Sequence, residues 1–238
     1  MPDTRDSEER CYSRRAVLQI AFFGLPSLLF GASWASRVVG WDFQQIIRLA
    51  EQRHGPLGDA RKRILDWQAL LLQSQGLGEM AKLQAVNRHF NRVLRFVDDI
   101  RIWGEHDYWA TPVEALIKGR ADCEDYSLAK YFSLRQLQVP SDRLRITYVK
   151  ALRLNQAHMV VTYYASSSAE PLVLDNLINQ IRPASQRNDL LPVYAFNAEG
   201  VYLFKDGGVK RAGDTKQLSR WQDVLSKMRG EGFSTPAL

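Results

Sequence analysis

The sequence predicts an α+β protein whose helices precede its sheet. In the first half of the chain, apolar residues recur at three- and four-residue steps. After residue 140 the period becomes two, which marks strands. No internal repeat or low-complexity tract interrupts this order, so the two kinds of element belong to one domain. The 238 residues are 45% hydrophobic and 24% charged, which excludes disordered and collagen-like chains.

The first 35 residues read as an export signal. A polar stretch ends in Arg14-Arg15, and residues 16–36 carry no charge. That run closes on Ala32-Ser33-Trp34-Ala35, with small residues at −3 and −1 of a cut after Ala35. The arginine pair suggests twin-arginine export. A retained membrane anchor is the competing reading, because 21 uncharged residues just span a bilayer; Gln19 and Pro26 weigh against it. Either way the functional domain, residues 36–238, is expected outside the cytoplasm. The segment contains four Arg and four Asp or Glu, so its removal leaves the net charge of +6 unchanged. No basic stripe with interleaved aromatics accompanies that charge, so nucleic acid is not expected as a partner. Removal also takes Cys11 and leaves Cys123 as the sole cysteine.

The elements follow in order. Residues 41–54 form a short amphipathic helix ended by His54-Gly55-Pro56. Asp59 caps a second, over 60–75, with Ile64, Trp67, Leu71 and Leu72 facing inward. A third stretch places Met80, Leu83, Phe90, Val93, Leu94 and Val97 on a core stripe. Thr111-Pro112 reads as an N-cap followed by Pro at the first helical position. A further helix spans 123–137 and stops at Val139-Pro140. Strands follow at 144–151, 157–164, 172–174, 193–196 and 200–204, the second and third joined by a hairpin loop at Ser166-Ser167-Ser168. A turn is expected at Asp206-Gly207-Gly208, and a helix over 219–228 closes the chain.

Cys123 is expected at a helix start, where the dipole and unpaired amides favour a thiolate and can hold an oxyanion. A thiolate nucleophile needs a proton acceptor, most often His. His54 at a helix end, His89 inside a helix and His106 in a polar loop read as structural or solvated. His158 instead sits in a strand, on one face with Val160 and Thr162. Asp175 ends the next strand, from which its carboxylate can reach His158 laterally. Trp109 is a candidate neighbour of this group, with core packing as its other reading.

These residues lie in longer motifs: Val86-Asn87; Asp107-Tyr108-Trp109-Ala110-Thr111-Pro112 with Glu114; Asp122-Cys123-Glu124-Asp125-Tyr126 with Lys130-Tyr131; His158-Met159-Val160; and Leu174-Asp175-Asn176. Over residues 41–196 the chain resembles the bacterial transglutaminase-like cysteine proteases of the LapG type. The resemblance implies a transglutaminase/papain-like core, with the cysteine helix packed on an antiparallel sheet and Cys123, His158 and Asp175 as the triad. It also implies periplasmic cleavage of a large repeat-containing surface adhesin near its N-terminal anchor, which releases the adhesin and disperses biofilm. The family's usual partner is an inner-membrane receptor that senses cyclic di-GMP and sequesters the protease through its periplasmic domain. One departure is Ala121, where the family commonly has Gly, which places a methyl group just before the thiol.

Asp122, Glu124 and Asp125 crowd three carboxylates around Cys123. At about 6 Å and an effective dielectric near 20, each opposes a thiolate by roughly 2–3 kcal/mol. A hard divalent cation removes that conflict, and Ca²⁺ suits carboxylate oxygens outside the cytoplasm. The resemblance independently implies calcium at these positions. There is no EF-hand loop or zinc pattern, so further ligands must come from distant residues. Two other functions compatible with the triad are amide transfer, in which an amine replaces water at a thioester, and non-catalytic binding.

Overall fold

The computed structural model describes residues 40–205 and 208–234; the export-signal reading, residues 1–35, lies outside them. Helix α1, Phe43–His54, starts two residues after Trp41 because Asp42 accepts hydrogen bonds from the amides of Gln44 and Gln45, both at 3.0 Å. Phe43, Ile46, Ile47 and Ala50 bury one face. Gly55 ends the helix at φ +74°, a region favouring glycine. Helix α2, Asp59–Ser74, includes Asp59 in its first turn rather than using it as the cap. Ile64, Trp67 and Leu71 are buried as expected, but Leu72 is 60% exposed: it falls outside the stripe they define. Trp67, fully buried, donates its Nε1 hydrogen to Ser133 Oγ at 2.8 Å. Removing some 200 Å² of indole from water contributes about 5 kcal/mol.

Helix α3, Glu79–Val93, buries Leu83, Val86, Asn87, His89 and Phe90, whereas Met80 at its start is 46% exposed. The expected stripe runs past the helix: Leu94 leads into the short strand β1, Arg95–Phe96, and the one-turn helix α4, Asp99–Ile102, comes next. Helix α5, Pro112–Lys118, has a full capping box, with Thr111 accepting from the Glu114 amide and Glu114 from the Thr111 amide. Strand β2, Arg120–Ala121, pairs parallel with β1. Helix α6, Cys123–Gln136, is buried along its whole length from Asp125 to Leu134.

The sheet follows: β3 (Leu144–Ala151), β4 (Gln156–Tyr163), β5 (Leu172–Leu174), β6 (Arg182–Pro183), β7 (Leu190–Phe196), β8 (Val201–Lys205) and β9 (Gly208–Gly213). Its order is β6-β5-β4-β3-β7-β8-β9, with every neighbouring pair antiparallel. Strands β6 and β9 were not expected; a two-residue strand and a glycine-bounded one carry little period-two signal. The expected turn after β8 falls partly outside the described residues. Helix α7, Ser219–Gly230, closes the chain. Trp221 on α7 stacks on Phe132 of α6 at 5.4 Å and meets Phe196 of β7 edge-on at 5.5 Å, which ties the last helix to both layers. Among the described residues no helix is long and apolar enough to cross a membrane.

Just beyond α7, Glu231 is 3% exposed. One oxygen accepts from Thr111 Oγ1 at 2.7 Å and the other has no partner. Burial pushes its carboxyl up to about 8. The folded protein therefore binds a proton that the unfolded chain releases above the ordinary carboxylate range. Stability falls as pH rises from there to about 8. Glu231→Gln keeps an acceptor for Thr111 and removes the charge. Thermal melts should show a Tm about 4–8 °C above the native value near pH 8, and little difference near pH 4. Equal melting curves at both pH values would count against this reading.

Candidate active site

The start of α6 is fixed from below by a reversal of the chain. Gly119 ends α5 at φ +62°, and a side chain there would meet the Arg63 guanidinium at 3.2 Å. Arg63 in turn donates to the carbonyls of Leu116 and Ile117 at 2.6 and 2.9 Å. The pairing of β2 with β1 and the Asp122 N-cap then bring Cys123 to the first position of the helix. Ala121, the position at which glycine was expected, is fully buried in the core and outside the cleft wall, so its methyl group does not narrow the approach to the thiol.

Cys123 lines a cleft of about 660 Å³ with His158, Trp109, Tyr148, Tyr194 and Glu124. The half-buried sulfur donates to Glu124 Oε2 at 2.9 Å, and Met159 of β4, the residue after His158, lines the same cleft. His158, opposite Val149 of β3, is 5% exposed. Its Nε2 lies 2.8 Å from Asp175 Oδ1. Asp175 follows the last residue of β5, where Leu174 pairs with Val161 of β4. It is 1% exposed and also accepts from the Leu177 amide at 3.0 Å. Burial pushes the Asp175 carboxyl up, but its bonds to His158, Leu177 and Arg187 outweigh that and leave it at about 2. With Nε2 engaged, the imidazole has Nδ1 for a second proton partner.

The remaining histidines stand elsewhere. His54 ends α1 in solvent, and His106 is an exposed residue at the cleft rim. His89 is buried in α3 against Phe90, and burial brings its imidazole down to about 4. Trp109 both packs and lines the cleft. It stacks on Phe196 at 5.7 Å and donates its Nε1 hydrogen to Asp107 at 3.0 Å.

The acidic group differs from the expected one. Carboxylate oxygens of Asp99, Asp122 and Glu124 lie within 4.8 Å of one another. Asp125 is not in this set: it is 1% exposed and its Oδ1 accepts from the Ala110 amide at 2.7 Å, which turns it toward the loop before α5. Asp99 was missed because it lies 23 residues before Asp122 in a one-turn helix with no motif of its own. Burial, with the charge of Glu124 second, raises Asp99 to about 6. Burial, followed by Asp125, Glu124 and Asp99, raises Asp122 to about 11. The Cys123 thiol is pushed up by burial and then by Glu124 and Asp122. Asp99 Oδ1 and Asp125 Oδ2 are buried without a partner. Crowded carboxylates with vacant oxygens are the donor chemistry that a hard divalent cation satisfies.

Helices before an antiparallel sheet, with a thiol-headed helix buried between α-helical and β layers, define the transglutaminase-like fold. Residues 69–189 match the model of the bacterial transglutaminase-like cysteine proteinases (BTLCP), and the chain belongs to that family. It is similar to LapG of Legionella pneumophila, at 40% identity over 77% of this chain and 97% of that one, with a TM-score of 0.67. Calcium-bound LapG from the same organism matches at 41% identity over 78% and 98% of the two chains, with a TM-score of 0.66. An EGTA-treated form gives 40%, 77%, 97% and 0.68. No functionally curated protein matches the chain.

Proposed function

We propose that this cysteine proteinase is a calcium-dependent endopeptidase using Cys123, His158 and Asp175, and that it acts in the periplasm on the N-terminal region of a large repeat-containing surface adhesin. The observation that carries the proposal is the 2.8 Å bond to Asp175 made by His158, which lines one cleft with Cys123. Cleavage would release the adhesin and promote biofilm dispersal. The periplasmic domain of an inner-membrane cyclic di-GMP receptor would hold the enzyme in check. Adhesin, receptor and compartment rest on the family resemblance and on the export signal read from the sequence.

Cys123 Sγ attacks the scissile carbonyl carbon after His158 takes its proton through Nδ1. His158 then returns that proton to the leaving amine as the C–N bond breaks, leaving a thioester on Cys123. A water molecule, deprotonated by His158, hydrolyses the thioester and restores the thiol. Asp175 holds the imidazole by Nε2 and stabilises the imidazolium. The Cys123 amide, at the helix start, donates to the oxyanion. Asp99, Asp122 and Glu124 would hold the calcium ion, with the Asp125 amide donating to Asp122 Oδ1 at 3.4 Å and the Asp125 carboxylate held by the Ala110 amide. Bound there, calcium supplies the positive charge that offsets the carboxylates opposing the thiolate.

The test is to incubate the chain with N-terminal fragments of large adhesins, with calcium and with a chelator, and to sequence any new N-termini. Cleavage at one site with calcium alone is expected, and a labelled amine should not be incorporated. Amine incorporation in place of hydrolysis would favour amide transfer.

A further inference from the structure

His158 engages one Asp175 oxygen. The other, Oδ2, accepts from Arg187 Nη2 at 2.7 Å, an ion pair whose side chains are 2% and 0% exposed. Arg187 follows the short 3₁₀ turn Ala184–Gln186 and precedes β7. Its backbone is pinned on both sides, its amide donating to the Ala184 carbonyl at 2.9 Å and its carbonyl accepting from the Leu190 amide at 3.0 Å. Nε and Nη2 also donate to Asp189 at 3.0 and 2.9 Å, which fixes the plane of the guanidinium. Burying a guanidinium carries a large desolvation cost, offset where the rigid fork meets a well-placed carboxylate.

We propose that Arg187 is a positioning residue: it locks the Asp175 carboxylate so that Oδ1 meets His158, and thereby sets the orientation of the imidazole toward Cys123. Asp189 extends the chain and holds Arg187 in turn. This rests on the triad reading above. The other groups facing Asp175 do different work. Lys130 of α6 is fully buried, and burial pulls its ammonium down to about 7 against the opposing pull of the Asp175 charge. Asn91 of α3 donates to the Asp175 main-chain oxygen at 2.8 Å and leaves the carboxylate to Arg187 and His158.

The experiment measures, by mass spectrometry of the Cys123 peptide, how fast iodoacetamide alkylates the full chain near neutral pH in calcium-containing buffer. Arg187→Met should slow alkylation roughly 10- to 100-fold, the range typical of groups that orient a reactive ligand, and Arg187→Lys should restore part of it. Asp175→Asn should slow it comparably, and adding Arg187→Met to that variant should cost less than about threefold more, because Arg187 acts through Asp175. Asp189→Asn, at a partly exposed position that spares the buried charges, should cost about three- to tenfold. A full additional loss in the double variant would overturn the proposal. So would native rates in both Arg187→Lys and Asp189→Asn while Asp175→Asn remains slow, an outcome that leaves the triad standing. A native rate in Asp175→Asn would remove the triad reading and the proposal together.

Discussion

Cys123→Ala should abolish peptide cleavage and leave the fold intact. Every proposed step runs through the sulfur, since attack, thioester and release all use it. Removing the nucleophile of such a unit costs roughly 10⁴- to 10⁶-fold in kcat. Structurally the change is mild. Position 123 is the first residue of a helix, where Ala is well tolerated, and the side chain is only half-buried. The variant also removes a thiol sited beside Glu124 and Asp122, both of which oppose its ionisation. Its Tm should therefore stay within a few degrees of the native value, and a melt run beside the kinetic assay checks this. Cleavage retained in a correctly folded Cys123→Ala protein would dismiss the mechanism.

The second large effect concerns the acidic cluster. Strong chelation should lower kcat/KM by about 100-fold or more, and added calcium should restore it. Each uncompensated carboxylate near the thiol opposes its ionisation by roughly 2–3 kcal/mol. Asp122→Asn and Glu124→Gln should each weaken the response to calcium. Asp99→Asn should do so too, although it is far from Cys123 in sequence, whereas Asp125→Asn should act mainly on stability through the Ala110 bond. Protons compete for the same oxygens. Asp99 sits at about 6, so calcium should raise Tm more at pH 7 than at pH 5. A proteolytic rate indifferent to chelation would contradict this account.

The sequence carried much of the fold because the period of its apolar residues changes once, near Pro140. Thr111-Pro112 announced an N-cap and a first-position proline in residue types alone, while the capping box with Glu114 emerged only in the structure. Helix α6 shows the limit. It is buried on nearly all sides, so Lys130, Ser127, Ser133 and Asp125 lie inside and no amphipathic stripe marks its depth. Leu72 and Met80 show the converse, apolar residues at helical spacing that remain largely exposed. In the candidate site, Cys123, His158 and Asp175 could be picked out because each has a recognisable position: helix start, strand interior and strand end. Asp99 and Arg187 were not. Each reaches the site by tertiary packing from a short, irregular segment, and a lone Asp or Arg in such a segment has no distinguishing pattern.

Cys123, with His158 and Asp175 behind it, is expected to form a covalent bond to the substrate carbonyl carbon. Acid quenching of the chain during turnover of a cleavable peptide, followed by mass spectrometry, tests it most directly. An acyl thioester on Cys123 is expected in the native protein, and its loss in His158→Ala. Turnover with no acyl group on Cys123 at any quench time, or an acyl group on another residue, would contradict it.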